Sequence, residues 1–123
     1  MIYGCGIDIE ETERFNKHYF DKGVLSDLVY NLFTSKEIEN FSVFGKEAFL
    51  KGFSFKESFY KALNNTDIDF KDVEIIFTNE DDFVIFTSKR IKEIFKKEKI
   101  IDILANFQLN EKYVVFKVVL KKE

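Results

Sequence analysis

The chain has 123 residues, 46% of them hydrophobic and 33% charged, which suits one domain with a hydrophobic core. The 19 basic and 22 acidic residues give a net charge of −3, which argues against a nucleic-acid-binding protein. No apolar run approaches the roughly 20 residues of a membrane-spanning helix. The single cysteine, Cys5, cannot form an internal disulfide, and the N-terminal segment lacks the basic start of a signal peptide. Both observations predict a cytoplasmic protein, with Cys5 a small buried residue of a strand.

The N-terminal segment alternates with a period of two, which predicts a β-strand over residues 2–9. Gly4, Gly6 and Asp8 share one face of this strand, and Glu10 follows two residues later. Two glycines on one face leave room for a close backbone or for a ligand. Asp8 and Glu10 could together bind one hard cation, although two ordinary surface acids at a strand end would give the same pattern.

Helical patterns follow the strand. Two short helices are predicted over residues 10–22 and 24–33, separated by one glycine. Thr34 and Glu37 form a capping box, S/T-x-x-E, which opens a further helix over residues 34–41.

The longest helical pattern covers residues 45–64. Ser54, Glu57 and Lys61 lie on one polar stripe of this predicted helix. Glu57 and Lys61 are four residues apart, in the orientation that favours an ion pair. Taken alone, this pattern is better explained by an ordinary surface ion pair.

The second half of the chain is mostly strand. Two hairpins are predicted, the first with Asn79–Asp82 in its turn, and a basic amphipathic helix lies between them. The predicted strands cover residues 73–78, 83–88, 100–109 and 113–120, and the helix covers residues 89–98. This order predicts an α+β fold in which an antiparallel sheet packs on the long helix, with the whole chain as one domain.

Two segments together resemble the signatures of the 4′-phosphopantetheinyl transferase superfamily. The family pattern is G-x-D near the N-terminus and (F/W)-x-x-K-E-(A/S)-x-x-K-(A/G) further along the chain. Residues 4–10, GCGIDIE, and residues 53–63, FSFKESFYKAL, match it, and the resemblance covers roughly the first 75 residues. The length is similar to that of the single-lobe branch, the holo-acyl-carrier-protein synthase type. The resemblance therefore implies the single-lobe fold of that branch and a homotrimer with active sites between neighbouring subunits.

The resemblance also implies a reaction and a metal site. The enzyme would move 4′-phosphopantetheine from coenzyme A to a serine of an acyl or peptidyl carrier protein, with Mg²⁺ as cofactor. Asp8 and Glu57 would bind Mg²⁺, and Glu10 looks like a third ligand, as in the two-lobed branch. Lys61 would neutralise phosphate charge. A metal-bound water, or Glu57 through one water, could take the serine proton, and the reaction asks little other covalent chemistry of the protein.

Further residues are candidates for binding the substrates. Those for coenzyme A are Lys46, Lys51, Ser54 and Lys56. Arg14 matches a family position that contacts the carrier protein, and it forms a basic helix face with Lys17 and His18, which Lys22 follows. Such a face could dock an acidic carrier protein, although an ordinary solvated helix face is the alternative. We expect His18 to be a surface residue rather than a catalytic one, and the kind of carrier (fatty-acid, polyketide or peptide) stays open.

Three positions depart from the family pattern. Gly52 stands where the family often has arginine, and Asn79–Asp82 replaces the usual Gly-Lys-Pro turn. Asn106–Leu109 stands where the family has a Ser-His segment. These departures concern nucleotide anchoring more than metal ligation. Two alternatives therefore stay open: a relative that binds coenzyme A or a carrier protein without transfer, and an unrelated α+β interaction module.

Overall fold

The computed structural model of the chain describes residues 1–21, 24–65 and 67–123, apart from the side chains at positions 21, 24, 25, 28 and 29. A 3₁₀ turn, Phe70–Asp72, precedes the fourth strand. The other elements, in chain order, are β1 (Ile2–Glu11), α1 (Thr12–Tyr19), β2 (Phe20–Asp21), β3 (Val24–Leu25), α2 (Asp27–Tyr30), α3 (Ser35–Phe44), α4 (Lys46–Leu63), β4 (Val73–Phe77), β5 (Phe83–Thr87), α5 (Lys89–Glu98), β6 (Ile100–Leu109) and β7 (Tyr113–Lys122).

The predicted α+β architecture is confirmed. β1, β7 and β6 form an antiparallel sheet in that order, and β2–β3 and β4–β5 form separate two-stranded hairpins. α4 packs along β1 and β7, so the long helix covers one face of the sheet. Aromatic rings fill the space between them: Phe55 of α4 contacts Phe116 of β7 edge to face, with ring centroids 5.4 Å apart. In the described ranges, no helix is both long and apolar enough to cross a membrane.

The two glycines of β1 allow the strand to pack directly on the backbone of α4. A Cβ atom on Gly6 would lie 1.8 Å from the carbonyl oxygen of Ser58, and one on Gly4 would lie 2.1 Å from that of Ala62. The Ser58 hydroxyl lies 3.0 Å from the Phe116 carbonyl oxygen of β7, which adds a hydrogen bond to this contact. Of the two roles considered for the glycines, a close backbone and a ligand, the structure shows the close backbone.

Several predicted elements are confirmed. The capping box at the start of α3 is present, because Thr34 Oγ1 accepts from Glu37 N and the Glu37 carboxylate accepts from Thr34 N. α3 continues to Phe44, three residues beyond the predicted end. Both hairpins of the second half and the basic helix α5 agree with the prediction within two residues.

Of the two short helices predicted over residues 10–22 and 24–33, the first is confirmed over Thr12–Tyr19 and the second is much shorter than predicted. α1 ends at Tyr19, the next residues form the β2–β3 hairpin, and α2 has only four residues. Phe20 adopts an extended conformation and packs its ring against Phe15 and Phe49, so tertiary packing overrides the local helical preference. Lys22 and Gly23, which the sequence analysis used, lie outside the described residues.

The outer face of the sheet is apolar and exposed. Cys5 is exposed, so the expectation that it is buried was wrong. Its neighbours on this face, Ile7 and Ile9, are 54% and 61% exposed. The reason is the close packing on α4, which turns the glycine and aspartate side of β1 inward and the apolar side of the strand outward.

Candidate active site

The C-terminal end of β1 and the middle of α4 meet at a cavity of about 600 Å³. Asp8 and Glu10 from β1 and Glu57 from α4 all line it. Arg14 and His18 from α1 line it as well, and the aromatic rings of Phe15, Tyr19 and Phe53 complete the wall. The structure therefore brings together the acids of both sequence motifs. We call Asp8, Glu10 and Glu57 the carboxylate cluster.

Asp8 is the most buried member of the carboxylate cluster, at 7% exposure. Its Oδ1 accepts from Lys61 Nζ at 3.4 Å, and Lys61 Nζ also donates to the carbonyl oxygen of Ile7 at 3.1 Å. Among the described residues, no donor lies within hydrogen-bonding distance of its buried Oδ2. A protonated Glu10 carboxyl is the neighbour that can donate to the Asp8 side chain. A buried charged oxygen without a partner costs free energy, and a hard cation would satisfy it.

Lys61 therefore pairs across to the strand rather than along its own helix. Among the described residues, its salt bridge is with Asp8, whereas the sequence suggested a pair with Glu57. The glycines of β1 explain the difference, because they bring the strand backbone within reach of the helix. The Lys61 side chain is 51% exposed, so the amine remains available to an anionic ligand.

Burial, together with repulsion between the acids, raises the pKa values of two members of the carboxylate cluster. Burial, repulsion from Asp8, a hydrogen bond with Asp8 and repulsion from Glu57 together raise the pKa of Glu10 to about 8, against a smaller opposing effect of Lys61. Burial and repulsion from Asp8 also raise the pKa of Glu57, and Lys61 again opposes them. A divalent cation would relieve this repulsion.

The orphaned Asp8 oxygen and the uncompensated charge both fit a Mg²⁺ ion, which typically takes one or two carboxylates and completes its shell with water and phosphate oxygens. Asp8 and Glu57 are the side chains that would hold it. Within the described ranges, no group of three or more His, Cys, Asp or Glu residues has an arrangement that would hold a metal by itself. Ligation by Glu10 stays a prediction.

Two of the side chains predicted to contact coenzyme A are enclosed by protein. Lys56 is completely buried, and its Nζ lies 2.7 Å from Glu37 Oε1. Ser54 is also buried, with its hydroxyl directed at the carbonyl oxygen of Asp8 at 3.4 Å. Their place in the signature suggested ligand contact, but protein groups already occupy their hydrogen-bonding atoms. This placement corrects the expectation that they bind the nucleotide.

The other two candidates, Lys46 and Lys51, lie at the N-terminal end of α4. Lys46 is exposed and sits 5.2 Å from the ring centre of Phe20. Lys51 is buried and donates to the carbonyl oxygen of Glu80 at 2.8 Å. Burial lowers the pKa of Lys51, and the acids Glu47, Asp81 and Glu80 oppose that shift.

A second cavity, of about 530 Å³, lies beside Lys51. Two of the three segments that depart from the family pattern line this cavity. Asn106 and Leu109 come from one of them, and the acids of the Asn79–Asp82 turn come from the other. Four acids surround the single lysine, namely Glu47, Glu80, Asp81 and Asp82. The family pattern identified these two departures at separate places in the chain, and the fold brings them together in one acidic cavity.

The basic face of α1 borders the carboxylate cluster. Arg14, Lys17 and His18 line a shallow depression on the helix surface together with Glu11 and Glu13, and Arg14 and His18 also line the cavity of the carboxylate cluster. His18 was expected at the surface. Its side chain is exposed, but it also lines the cavity of the carboxylate cluster. The signal was available, because His18 lies one helical turn after Arg14 on the helix that directly follows Asp8 and Glu10.

Comparison with known proteins gives a consistent result. The family described as the 4′-phosphopantetheinyl transferase superfamily matches residues 4–115. A Geobacter sp. protein named holo-[acyl-carrier-protein] synthase is 34% identical over 103 residues, which cover 79% of this chain and 80% of the relative.

Solved structures share the fold. The holo-[acyl-carrier-protein] synthase of Neisseria meningitidis has a TM-score of 0.80 at 24% identity, with 99% of this chain and 100% of that one covered. The Helicobacter pylori holo-[acyl-carrier-protein] synthase, solved in complex with coenzyme A, has a TM-score of 0.76 at 22% identity, with 95% and 99% covered. With the family match over both motifs, these findings show that the chain belongs to the 4′-phosphopantetheinyl transferase superfamily and is a transferase of the holo-acyl-carrier-protein synthase type.

Proposed function

We propose that this protein transfers 4′-phosphopantetheine from coenzyme A to a serine of an acyl or peptidyl carrier protein in a Mg²⁺-dependent reaction. The observation that carries the proposal is the carboxylate cluster, in which Asp8 and Glu57 face one cavity with uncompensated charge and an orphaned buried oxygen. The Geobacter relative is named for this activity, and the Helicobacter structure contains coenzyme A.

The roles of the residues follow from charge and position. The serine oxygen forms a bond to the β-phosphorus of coenzyme A, the bond between that phosphorus and the bridging oxygen breaks, and 3′,5′-ADP leaves. When bound, Mg²⁺ would supply Lewis-acid stabilisation of the pyrophosphate charge. Asp8 and Glu57, with Glu10 as a proposed third ligand, would hold that ion, and Lys61 would offset phosphate charge. Glu57, with its raised pKa, is also the proposed acceptor of the serine proton through one water.

The carrier protein docks, in this proposal, on the basic face of α1. Arg14 and Lys17 are exposed there, and Arg14 lines the cavity of the carboxylate cluster. An acidic carrier helix on this face would present its serine close to Asp8 and Glu57, because α1 follows β1 directly. The proposed setting is cytoplasmic, with fatty acid biosynthesis as the first pathway to test and neither nucleic acid nor membrane as a partner.

We place the active unit as a homotrimer, with the exposed apolar face of the sheet as the contact surface. Ile7 and Ile9 of β1 lie on this face, and Leu104, on β6 at the other side of β7, is 47% exposed. An apolar patch of this kind on a β-sheet is suited to burial against further copies of the chain. Light scattering during gel filtration tests this; a monomer at micromolar concentration would exclude the trimer.

The central experiment weighs the product. The protein is incubated with Mg²⁺, coenzyme A and apo carrier proteins from fatty-acid, polyketide and peptide synthesis, and each carrier is measured by mass spectrometry. A gain of one phosphopantetheine that disappears with EDTA is the expected result. Asp8→Asn and Glu57→Gln should abolish the gain, whereas Glu93→Gln, the same chemistry at an exposed position of α5, should not. No gain on any carrier would contradict the proposal.

The second candidate function is binding of coenzyme A or a carrier protein without transfer. The acidic second cavity favours its carrier-binding form, since Glu80, Asp81 and Asp82 would repel the nucleotide phosphates of coenzyme A near Lys51. Carrier binding by calorimetry in the absence of any mass gain would select this candidate, and turnover would exclude it.

A further inference from the structure

We propose that the buried ion pair between Glu37 and Lys56 is a positioning device that fixes the rotation of α4 and so holds Glu57 against Asp8. Lys56 is the signature lysine next to Glu57, and it acts here on the geometry of the site rather than on the ligand. The inference rests on the proposed function only in treating Asp8 and Glu57 as a metal site. The position of Glu57 relative to Asp8 can be measured without any activity.

Lys56 is satisfied entirely by protein groups. Its Nζ lies 2.7 Å from Glu37 Oε1 and donates to the carbonyl oxygens of Phe70 and Val73 at 2.6 and 2.7 Å. The ammonium group has three protons, and these three acceptors account for all of them. The amine also lies 5.7 Å from the ring centre of Phe33. Lys56 therefore ties α4 to α3, to the 3₁₀ turn and to the start of β4.

Glu37 is fixed with equal completeness. Its Oε1 accepts from Thr34 N at 3.0 Å, within the capping box of α3. Its Oε2 accepts from Ile75 N, in the middle of β4, also at 3.0 Å. Both side chains of the pair have 0% exposure. The carboxylate of Glu37 therefore contacts α3, β4 and α4, and these hydrogen bonds fix the position at which Lys56 can pair with it.

The opposite side of α4 is fixed to the sheet. The hydroxyls of Ser54 and Ser58 are directed at the carbonyl oxygens of Asp8 and Phe116. Lys56 and Glu57 are consecutive, so their side chains leave the helix about 100° apart. A rotation of α4 that loosens Lys56 therefore moves Glu57 around the helix axis, away from Asp8.

The physical chemistry of the pair supports a role beyond stability. Burial raises the pKa of Glu37 and lowers the pKa of Lys56, although each partner opposes the shift of the other, so both charged forms are held at a cost. Buried ion pairs can often be replaced by uncharged groups of similar volume without loss of stability. A fixed direction for the helix is the contribution that we assign to this pair.

The test uses the double variant Glu37→Gln/Lys56→Met, which leaves no buried charge, so that folding is retained. The control is Lys36→Met/Glu39→Gln, the same chemistry at exposed positions of α3. We expect the double variant to weaken Mg²⁺ binding, measured by calorimetry without coenzyme A, and to lower kcat by about 10–100-fold, the range found when residues that orient metal ligands are changed. The KM for the carrier protein, which docks elsewhere, should not change.

A crystal structure of the double variant provides the readout that does not depend on activity. The separation of the Asp8 and Glu57 carboxylates should increase by about 1 Å, a displacement large enough to matter for catalysis. An unchanged separation, or wild-type Mg²⁺ affinity, overturns the inference. If the wild type binds no Mg²⁺ and transfers nothing, the proposed function fails, while the carboxylate separation still decides the role of the pair.

Discussion

The buried acid Glu37 and the carboxylate cluster lie on different sides of α4, and their charges are compensated to very different degrees. Glu37 meets a lysine and two backbone donors, so its charge is fully compensated. Asp8 has a buried oxygen to which no group in the described part of the chain donates, and its neighbours Glu10 and Glu57 have raised pKa values. The compensated acid belongs to the framework, whereas the uncompensated cluster is suited to an ion that arrives from outside.

The largest expected effect comes from the uncompensated side. Glu57→Gln should lower the rate of transfer by more than about 100-fold, because the change removes a proposed metal ligand. Mutation of residues that only orient metal ligands already lowers metal affinity or activity by about 10–100-fold. It should also raise the thermal stability of the metal-free protein, because repulsion from Asp8 is relieved. Transfer kinetics and thermal unfolding check this; a loss of both activity and stability would show that Glu57 belongs to the framework.

The compensated side should respond through stability. Lys56→Ala leaves Glu37 charged and buried without its partner, which typically costs about 3–5 kcal/mol of unfolding free energy. Urea unfolding measures the loss. The single variant Glu37→Gln should cost less, because a glutamine oxygen still accepts from a backbone amide. Equal stability of Lys56→Ala and wild type would mean that the pair is not buried in solution.

Between the two groups, Gly6 controls how closely β1 approaches α4. Gly6→Ala would place a Cβ atom 1.8 Å from the Ser58 carbonyl oxygen, so strand and helix must separate. We expect a loss of about 1–3 kcal/mol, as for other overpacked sites, together with weaker Mg²⁺ binding, because Asp8 moves with the strand. Val43→Ala, at a position of α3 that is 79% exposed, is the control. An active and stable Gly6→Ala protein would contradict the direct backbone contact.

The smallest effect concerns pH. The pKa of Glu10 is higher in the folded protein, about 8, than its ordinary value of 4.5. Its contribution to the stability of the metal-free protein is therefore fully present below pH 4.5 and is lost as the pH rises through about 8. Thermal unfolding between pH 5 and pH 9 should show this decline, and Glu10→Gln should reduce it. A stability that instead rises over this range would show that the repulsion is absent.

Mg²⁺ offers a second check on the same comparison. Added Mg²⁺ should restore stability at high pH in the wild type and much less in Asp8→Asn. A ligand that binds only the folded state stabilises it by mass action, so the size of the restoration reports the affinity.

Local signals in the sequence were sufficient for most of the fold. The capping box at Thr34 and Glu37, the two hairpins of the second half and the long helix all agree with the structure, because each depends on neighbouring residues. The helix predicted to continue after Tyr19 does not agree with the structure. Phe20 instead joins a hairpin and packs against rings that are distant in the sequence, Phe49 among them. The outward direction of Cys5 was missed for a related reason, since it depends on the packing of β1 against α4.

The sequence by itself determined the family resemblance, the order of most elements and the acids Asp8, Glu10 and Glu57 as candidates for one site. Only the tertiary structure decided which of the signature residues face the cavity. Lys56 and Glu57 are adjacent in the chain, yet one is enclosed by α3 and β4 while the other lines the site. The physical reason is that burial and charge compensation depend on what packs against each side of a helix, and that information is spread over elements far apart in the sequence.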